Sequence, residues 1–340
     1  MKSITTDFRL ESIREKGILR QDAFGEIIIW KQHEFHTWWN LFESRMEHPL
    51  SRTFINAFVD GFELKNTIKD VRGLFRKKKL RHEIQRISSL LGWGEVELEQ
   101  KKILHSAHPL LSVALGHYSL ELYHQQRYKI RWTEPRSQIV QIETESSPQI
   151  SSPQPHAKMP WSGKRIASAF NQSSIEMSIQ QMNELRLEGE RVVLIPLAPL
   201  ERFFSGCLPY VPDTKDDWFN NQSTALDAHE NLLKIIIRST VEMFLSSEQP
   251  VYIIDQSSWD AYIENYLRER GWGSIETGMY NPSTFEFEFS MPMMSHFPLT
   301  LGMVVGMWER AHGRSSQILL REENDIFLVK IQSLLEYQNQ

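Results

Sequence analysis

The chain repeats itself, and that constrains its fold more than any other feature. Gly25-Glu26-Ile27-Ile28-Ile29-Trp30 leads into Phe35-His36-Thr37-Trp38-Trp39, and Gly189-Glu190-Arg191-Val192-Val193-Leu194 leads into Leu200-Glu201-Arg202-Phe203-Phe204. Each reads as a short apolar strand followed by the start of an amphipathic helix. Ile84, Ile87, Leu90 and Leu91 then run at helical spacing into Gly92-Trp93-Gly94, as Tyr262, Ile263, Tyr266 and Leu267 run into Gly271-Trp272-Gly273. The first glycine of each triplet suits a left-handed helix C-cap, and the tryptophan is placed to cover the open end of a core. Finally, Pro109-Leu110 precedes an apolar helix and a hairpin ending at Ile142, as Pro298-Leu299 precedes one ending at Ile331. The Pro-to-Ile interval is 33 positions in both.

Three ordered matches predict an α+β protein in which one module, an antiparallel sheet with packed helices, is used twice as an intramolecular pseudo-dimer. The boundaries expected are 1–144 for the first module, 145–170 for a linker and 171–340 for the second. Ser146-Ser147-Pro148, Ser151-Ser152-Pro153 and Gln154-Pro155 lack apolar periodicity, so the linker is expected to be mobile. Ile175, Ile179, Met182 and Leu185 share one helical face, which predicts a helix over 172–187. Between the Gly-Trp-Gly turn and Pro-Leu the second copy is ten residues longer, with Phe285-Glu286-Phe287-Glu288-Phe289 as an alternating strand.

Composition narrows the setting. The one cysteine, Cys207, has no disulfide partner, which fits a reducing cytoplasm. No run approaches the ~18 apolar residues of a membrane span. Met1 to Arg20 has no apolar core, so no signal peptide is expected there. The net charge of −5 is uneven: residues 1–145 carry 23 Lys+Arg against 19 Asp+Glu, the remainder 15 against 24. Opposite signs favour contact between the halves or head-to-tail association at short range.

The order of elements resembles the vinyl-four-reductase-type domain, of the ligand-binding superfamily that includes haem nitric-oxide sensors and Bet3-like subunits of the vesicle-tethering TRAPP complex. The residues that carry the likeness are Asp60-Gly61, Gly92-Trp93-Gly94 and Gly116 in the first copy, and Gly271-Trp272-Gly273 with Gly302 or Gly306 in the second. The resemblance implies a small-molecule-binding or regulatory module, often dimeric, rather than a catalyst. Many members carry cysteines near the C-terminal hairpin. Trp132 to Ile142 and Arg321 to Ile331 contain none, so any thiol or metal role tied to them is absent or replaced.

Candidate chemistry is sparse. His33 and His36, and His105 and His108, are each three apart, which on a helix places both imidazoles on one face, where a metal or haem iron could use them. No HExxH or Cys/His set accompanies them, and no metal site is predicted; exposed or backbone-bonded histidines at a helix start and a Pro turn are the plainer expectation. Arg72, Arg76-Lys77-Lys78-Lys79 and Arg81 could meet the phosphates of nucleic acid or anionic lipid, or form a solvated loop before the helix ending at Leu91. No stacking aromatics interleave with this run, which argues against nucleic acid. Leu110 to Gly116 and Leu299 to Trp308 are apolar on most faces, so they suit either core packing or a pocket or dimer seam. Asp255 with Ser257 and Ser258 reads as a helix N-cap rather than a nucleophile. No Gly-x-Ser-x-Gly elbow or phosphate-cradling loop is present.

The expected function is therefore a non-catalytic regulatory or scaffold protein, a monomeric pseudo-dimer or a homo-dimer, binding an apolar small molecule or a protein partner. Trp93, Gly116, His117, Trp272, Met303, Gly306 and Met307 are the candidate ligand-binding residues. Two alternatives stand beside it. One is a tetrapyrrole-related enzyme or accessory protein using the histidines of the first module; the other is nucleic-acid or anionic-surface binding through residues 72–81. The sequence specifies no cofactor.

Overall fold

A computed structural model of the chain describes residues 10–69, 72–163, 170–173, 175–180, 183–214 and 217–334. The first half runs β1 (Glu11–Ile13), β2 (Ile18–Gln21), β3 (Gly25–Lys31), α1 (Gln32–Met46), α2 (Ser51–Lys65), α3 (Arg76–Leu91), β4 (Glu95–Glu97), β5 (Lys102–Leu104), α4 (Pro109–His124), β6 (Tyr128–Arg136) and β7 (Ile139–Ser146). Short strands β8 (Asn171–Gln172), β9 (Ser178–Ile179) and β10 (Leu185–Leu187) follow. The earlier series from β3 onward then recurs as β11 (Glu190–Pro196), α5 (Leu197–Cys207), α6 (Glu230–Ser246), α7 (Gln256–Tyr266), β13 (Glu276–Asn281), β14 (Glu286–Pro292), α8 (Phe297–His312), β15 (Ser316–Glu323) and β16 (Ile326–Ser333), with β12 (Phe219–Asn221) inserted after α5. The fold is α+β. No helix among the described residues is long and apolar enough to cross a membrane.

The two halves meet through their most apolar strands. Ile27 to Trp30 and Val192 to Ile195 are buried on both faces, as a run of β-branched and large apolar residues demands. β3 and β11 pair antiparallel, with Leu194 opposite Ile29, at the centre of a seven-stranded sheet of order β8-β1-β2-β3-β11-β10-β9. The helices cross over the join: α1 packs on α6 of the other half, and α5 packs on α2. Each half then has its own outer sheet, β4-β5-β7-β6 under α4 and β13-β14-β16-β15 under α8, β12 extending the second at its edge.

The tryptophans of the two Gly-Trp-Gly turns lock the join crosswise. Trp93 Nε1 donates to the Leu194 carbonyl (3.0 Å), and Trp272 Nε1 donates to the Ile29 carbonyl (2.9 Å). Both rings are fully buried. Gly92 and Gly271 carry the left-handed C-cap expected of them (φ 71° and 75°), and a Cβ at either would meet a backbone oxygen of the opposite half, that of Val192 or of Ile27. Neither half therefore closes its core with its own residues alone.

Four expectations are corrected. The repeat is offset by 188 positions at the final helix, not 189. Ser112 Oγ donates to the Trp93 carbonyl as Thr300 Oγ1 does to that of Trp272, and α4 and α8 start at Pro109 and Phe297. Pro109 is thus the first helical residue and Pro298 the second; either position lacks an intrahelical partner for its amide. The last hairpin is one residue longer in the first half, the extra residue lying in a β-bulge in β6 between Thr133 and Arg136, so Ile142 is matched by Val329 and not by Ile331.

The helix expected over 172–187 is instead the strands β8, β9 and β10. Leu185 pairs with Val192, and Glu188-Gly189 form a tight turn with positive φ into β11, so edge pairing satisfies the backbone. Met182 lies outside the described residues. The linker is not loose between 147 and 163. Trp161 and Met159 are buried, Trp161 Nε1 donates to the Ser295 carbonyl (3.1 Å), and the Met159 amide to Glu201 Oε1 (3.1 Å). Anchor residues order a chain without giving it periodicity; residues 164–169 lie outside the described residues. Lastly, Arg76–Arg81 are not a loop but the first turns of α3.

Candidate functional site

The site is built on α4. Fifteen of its sixteen residues carry no carboxylate; Glu121 is the one acid on an otherwise apolar helix. Gly116 lets α4 lie close on the outer sheet, since a Cβ there would come within 2.7 Å of Ile142 and 2.9 Å of Ile103. The next residue, His117, turns toward the start of β6. Its Nε2 is 3.0 Å from the Tyr128 carbonyl and 3.2 Å from Glu121 Oε1. Both neighbours are acceptors, so Nε2 carries the proton. Nδ1 is buried and has no hydrogen-bond partner among the described residues.

Glu121 is the hub of this network. Its Oε1 accepts from the Tyr128 amide (2.8 Å), and its Oε2 from Arg127 Nη1 (2.8 Å), whose guanidinium also binds Glu63. Burial pulls the Glu121 carboxyl upward, but the hydrogen bonds from His117, the Tyr128 amide and Arg127 outweigh it and hold the group below its ordinary value. Arg127 is pushed upward by its bonds to Glu63 and Glu121. This arrangement holds side chains still rather than poising one for proton transfer.

A cavity of about 520 Å³ opens above His117. Its walls come from α2, the end of α4, β6 and the strap at residues 150–154, and Arg202 of the second half completes it. Arg202 Nε binds Asp60 Oδ2 (3.0 Å), and its Nη1 donates to the Gln154 carbonyl (2.7 Å), so one side chain ties both halves and the strap together. Arg52, Arg127, Lys129 and Arg202 face it against Asp60 and Glu121, and Ile55, Tyr128 and Trp132 add apolar and aromatic surface. Among the described residues no hydrogen bond or ion pair engages the Arg52 or Lys129 side chains. An adjoining opening of about 480 Å³ is lined by Arg52, Lys129 and Arg131 beside Glu143 and Glu145.

The second half keeps the scaffold of this site. Glu309 accepts from the Ser316 amide (3.0 Å), with the same spacing as Glu121 and Tyr128, and Arg238 Nη1 binds it (3.0 Å). Where His117 stands in α4, the 188-residue offset puts Val305, fully buried.

Of the seven candidate ligand-binding residues, only His117 lines this cavity. Trp93 and Trp272 serve the join described above. Gly116 serves the helix–sheet contact. Gly302 and Gly306 bring α8 close to α6: a Cβ at Gly302 would stand 2.5 Å from Thr240, and at Gly306 2.9 Å from Phe244. Met303 and Met307 are buried in the same core. The small and soft residues of α8 thus accommodate a neighbouring helix.

The histidines do not form one cluster. His33 lies 3.9 Å from Glu190, and His48 stacks on Tyr210. His36 and His108, from different pairs in the sequence, approach to 5.6 Å between ring centres. His105 sits at φ 54° and His108 at the N-cap of α4, so that pair does not share a helix face as spacing suggested. Among the described residues no group of three or more His, Cys, Asp or Glu could hold a metal ion. Asp255 and Ser258 form a capping box on α7, as expected.

Glu121, Arg127, Arg52, Lys129 and Arg202 were not legible as site residues. Only Glu121 left a signal, as the lone acid four positions after His117 on an apolar helix. The chain matches no family model, no curated protein and no solved structure.

Proposed function

We propose that this chain is a non-catalytic binding protein of regulatory or scaffold type. In this reading its two modules act as an intramolecular pseudo-dimer, and the first module receives a small anionic molecule with an apolar or aromatic body. One observation carries the reading: the open cavity over His117, with the cations Arg52 and Lys129, which pair with no described residue, at its rim. The apolar ligand expected between the helices is revised to an anionic one, because the apolar faces of α4 and α8 are occupied by packing while the cavity's lining carries excess positive charge. The family resemblance, which implies ligand binding, agrees with this reading.

The test is a native mass spectrum followed by a denaturing one, with thermal melts in benzoate as the probe anion. Extra mass lost on denaturation, or a melting temperature that rises with benzoate in the parent but not in Arg52→Ala/Lys129→Ala or His117→Val, supports the proposal. A bare mass together with melts that do not respond to benzoate overturns it. So does a response that both variants retain.

A further inference from the structure

The connection between α2 and α3 ends in Arg72-Gly73-Leu74-Phe75, and its two apolar side chains are open to solvent. Leu74 is 100% exposed and Phe75 69% exposed, the one exposed phenylalanine among the described residues. Single apolar residues scattered on a surface need no explanation, but an adjacent pair at a loop tip does. The tip carries a strong charge. Residues 69–82 hold seven lysines and arginines and one acid, Asp70.

The geometry sorts these cations into two kinds. Arg76 turns inward and donates to the carbonyls of Leu122 (2.7 Å) and Tyr123 (3.2 Å), which fixes the start of α3 to the end of α4. Arg81 pairs with Glu99. Arg72, Lys77, Lys78 and Lys79 are exposed, and apart from Lys77 resting over the Tyr123 ring at 5.2 Å they engage no described residue. First-turn lysines also sit at the positive end of the helix dipole, where they cost stability unless an anion lies opposite. The tip thus presents two exposed apolar side chains beside cations that pair with no described residue.

We propose that Leu74 and Phe75 insert into a bilayer rich in anionic phospholipid, with Arg72, Lys77, Lys78 and Lys79 as a collar that meets the headgroups. A lipid surface fits better than a nucleic acid. A strand of bases needs a row of stacking rings, whereas here there is one ring and an aliphatic leucine with nothing to stack on. The equivalent loop before α7 exposes Tyr252 and Ile254 but lies beside Glu248, Asp255 and Asp260, so only the first half suits an anionic bilayer.

The test is co-sedimentation of the full chain with vesicles of phosphatidylcholine alone and with about a third phosphatidylglycerol. Binding is expected only to the anionic vesicles and should weaken with salt. Lys77→Ala/Lys78→Ala/Lys79→Ala should lower the partition coefficient by about a hundredfold, at about fivefold per lysine. Leu74→Ser/Phe75→Ser should lower it about tenfold or more, with an unchanged melting temperature because both residues are exposed. Phe75→Cys labelled with an environment-sensitive dye reports insertion directly, since Cys207 is buried and stays unlabelled. The proposal is overturned if anionic vesicles at low salt fail to sediment the protein, or if the serine variant binds as the parent does. It is also overturned if the same variants abolish binding to a single-stranded oligonucleotide or concentration-dependent self-association while vesicles are ignored.

Discussion

His108 and His296 occupy equivalent places, the N-caps of α4 and α8, and both are buried. Burial pushes His108 down to about 3, with the nearby His36 adding to the effect. It pushes His296 down to about 4, partly opposed by the Trp272 carbonyl. In the unfolded chain both titrate near 6.5. Between pH 6.5 and about 4 the unfolded state therefore binds protons that the native state refuses, and stability falls as pH falls. At pH 5 each site contributes a loss of about 2 kcal/mol relative to pH 8, and the two together about 4 kcal/mol. His312, half-exposed and also pushed down to about 4, adds a smaller loss of the same sign after solvent screening. The carboxylates held low, Glu83, Glu121 and Asp255, lose their contribution only below their ordinary values, so the window above pH 5 belongs to the histidines. Urea unfolding followed by tryptophan fluorescence at pH 8, 7, 6 and 5 measures this. The unfolding free energy should be flat above pH 7 and fall steeply below 6.5, and His108→Gln/His296→Gln should remove most of that slope. A parent protein as stable at pH 5 as at pH 8, or a double variant with the parent's slope, refutes the reasoning.

Other perturbations have equally definite outcomes. Trp93→Phe and Trp272→Phe each remove a buried donor to a carbonyl of the opposite half and should each cost about 1–3 kcal/mol in urea unfolding. Arg127→Met leaves Glu121, nearly buried, facing Glu63 without a cation. It should destabilise by about 3 kcal/mol at pH 7, and the deficit relative to the parent should shrink in acid as Glu121 protonates, read by paired thermal melts. Cys207 is fully buried and its thiol is pushed upward by desolvation, so iodoacetamide should leave the native protein unmodified and alkylate it only in denaturant, as intact mass shows.

What was legible in the sequence follows from what periodicity and turn chemistry encode. Ile27 to Trp30 and Val192 to Ile195 declared buried strands, and Gly92 and Gly271 declared helix ends, because these are local properties. Partner identity is not local. Trp93 and Trp272 were visible as core tryptophans, but nothing near them tells that each donates to the other half's central strand. Pro109 and Pro298 looked equivalent, yet the first and second positions of a helix tolerate proline alike, and only the hydrogen bonds of Ser112 and Thr300 settle the register. Trp161 was hidden because a single anchor in a Ser/Pro-rich strap carries no period. At the site, Arg202 lies 85 positions beyond His117 in the sequence and reaches the cavity through the packing of α5 on α2. Leu74 and Phe75 carried no signal of their own, because exposure at a loop tip leaves no period in the sequence.

The crosswise join bears on how the halves can differ. Because α1 rests on α6, α5 on α2, and each tryptophan on the opposite strand, the shared core constrains both halves at once and leaves little freedom in β3, β11 or the Gly-Trp-Gly turns. The freedom lies at the periphery. There the position of His117 in α4 is Val305 in α8, the partner of the conserved carboxylate geometry shifts from Arg127 to Arg238, and the loop before α3 is basic where the loop before α7 is acidic. A homodimer would have to change both copies of such features together. Two modules in one chain can let one side open a cavity and display a charged tip while the other buries a valine at the position of His117. The asymmetry of charge between the halves is the sequence-level trace of that division, and it falls on the surfaces where the two halves are not obliged to match.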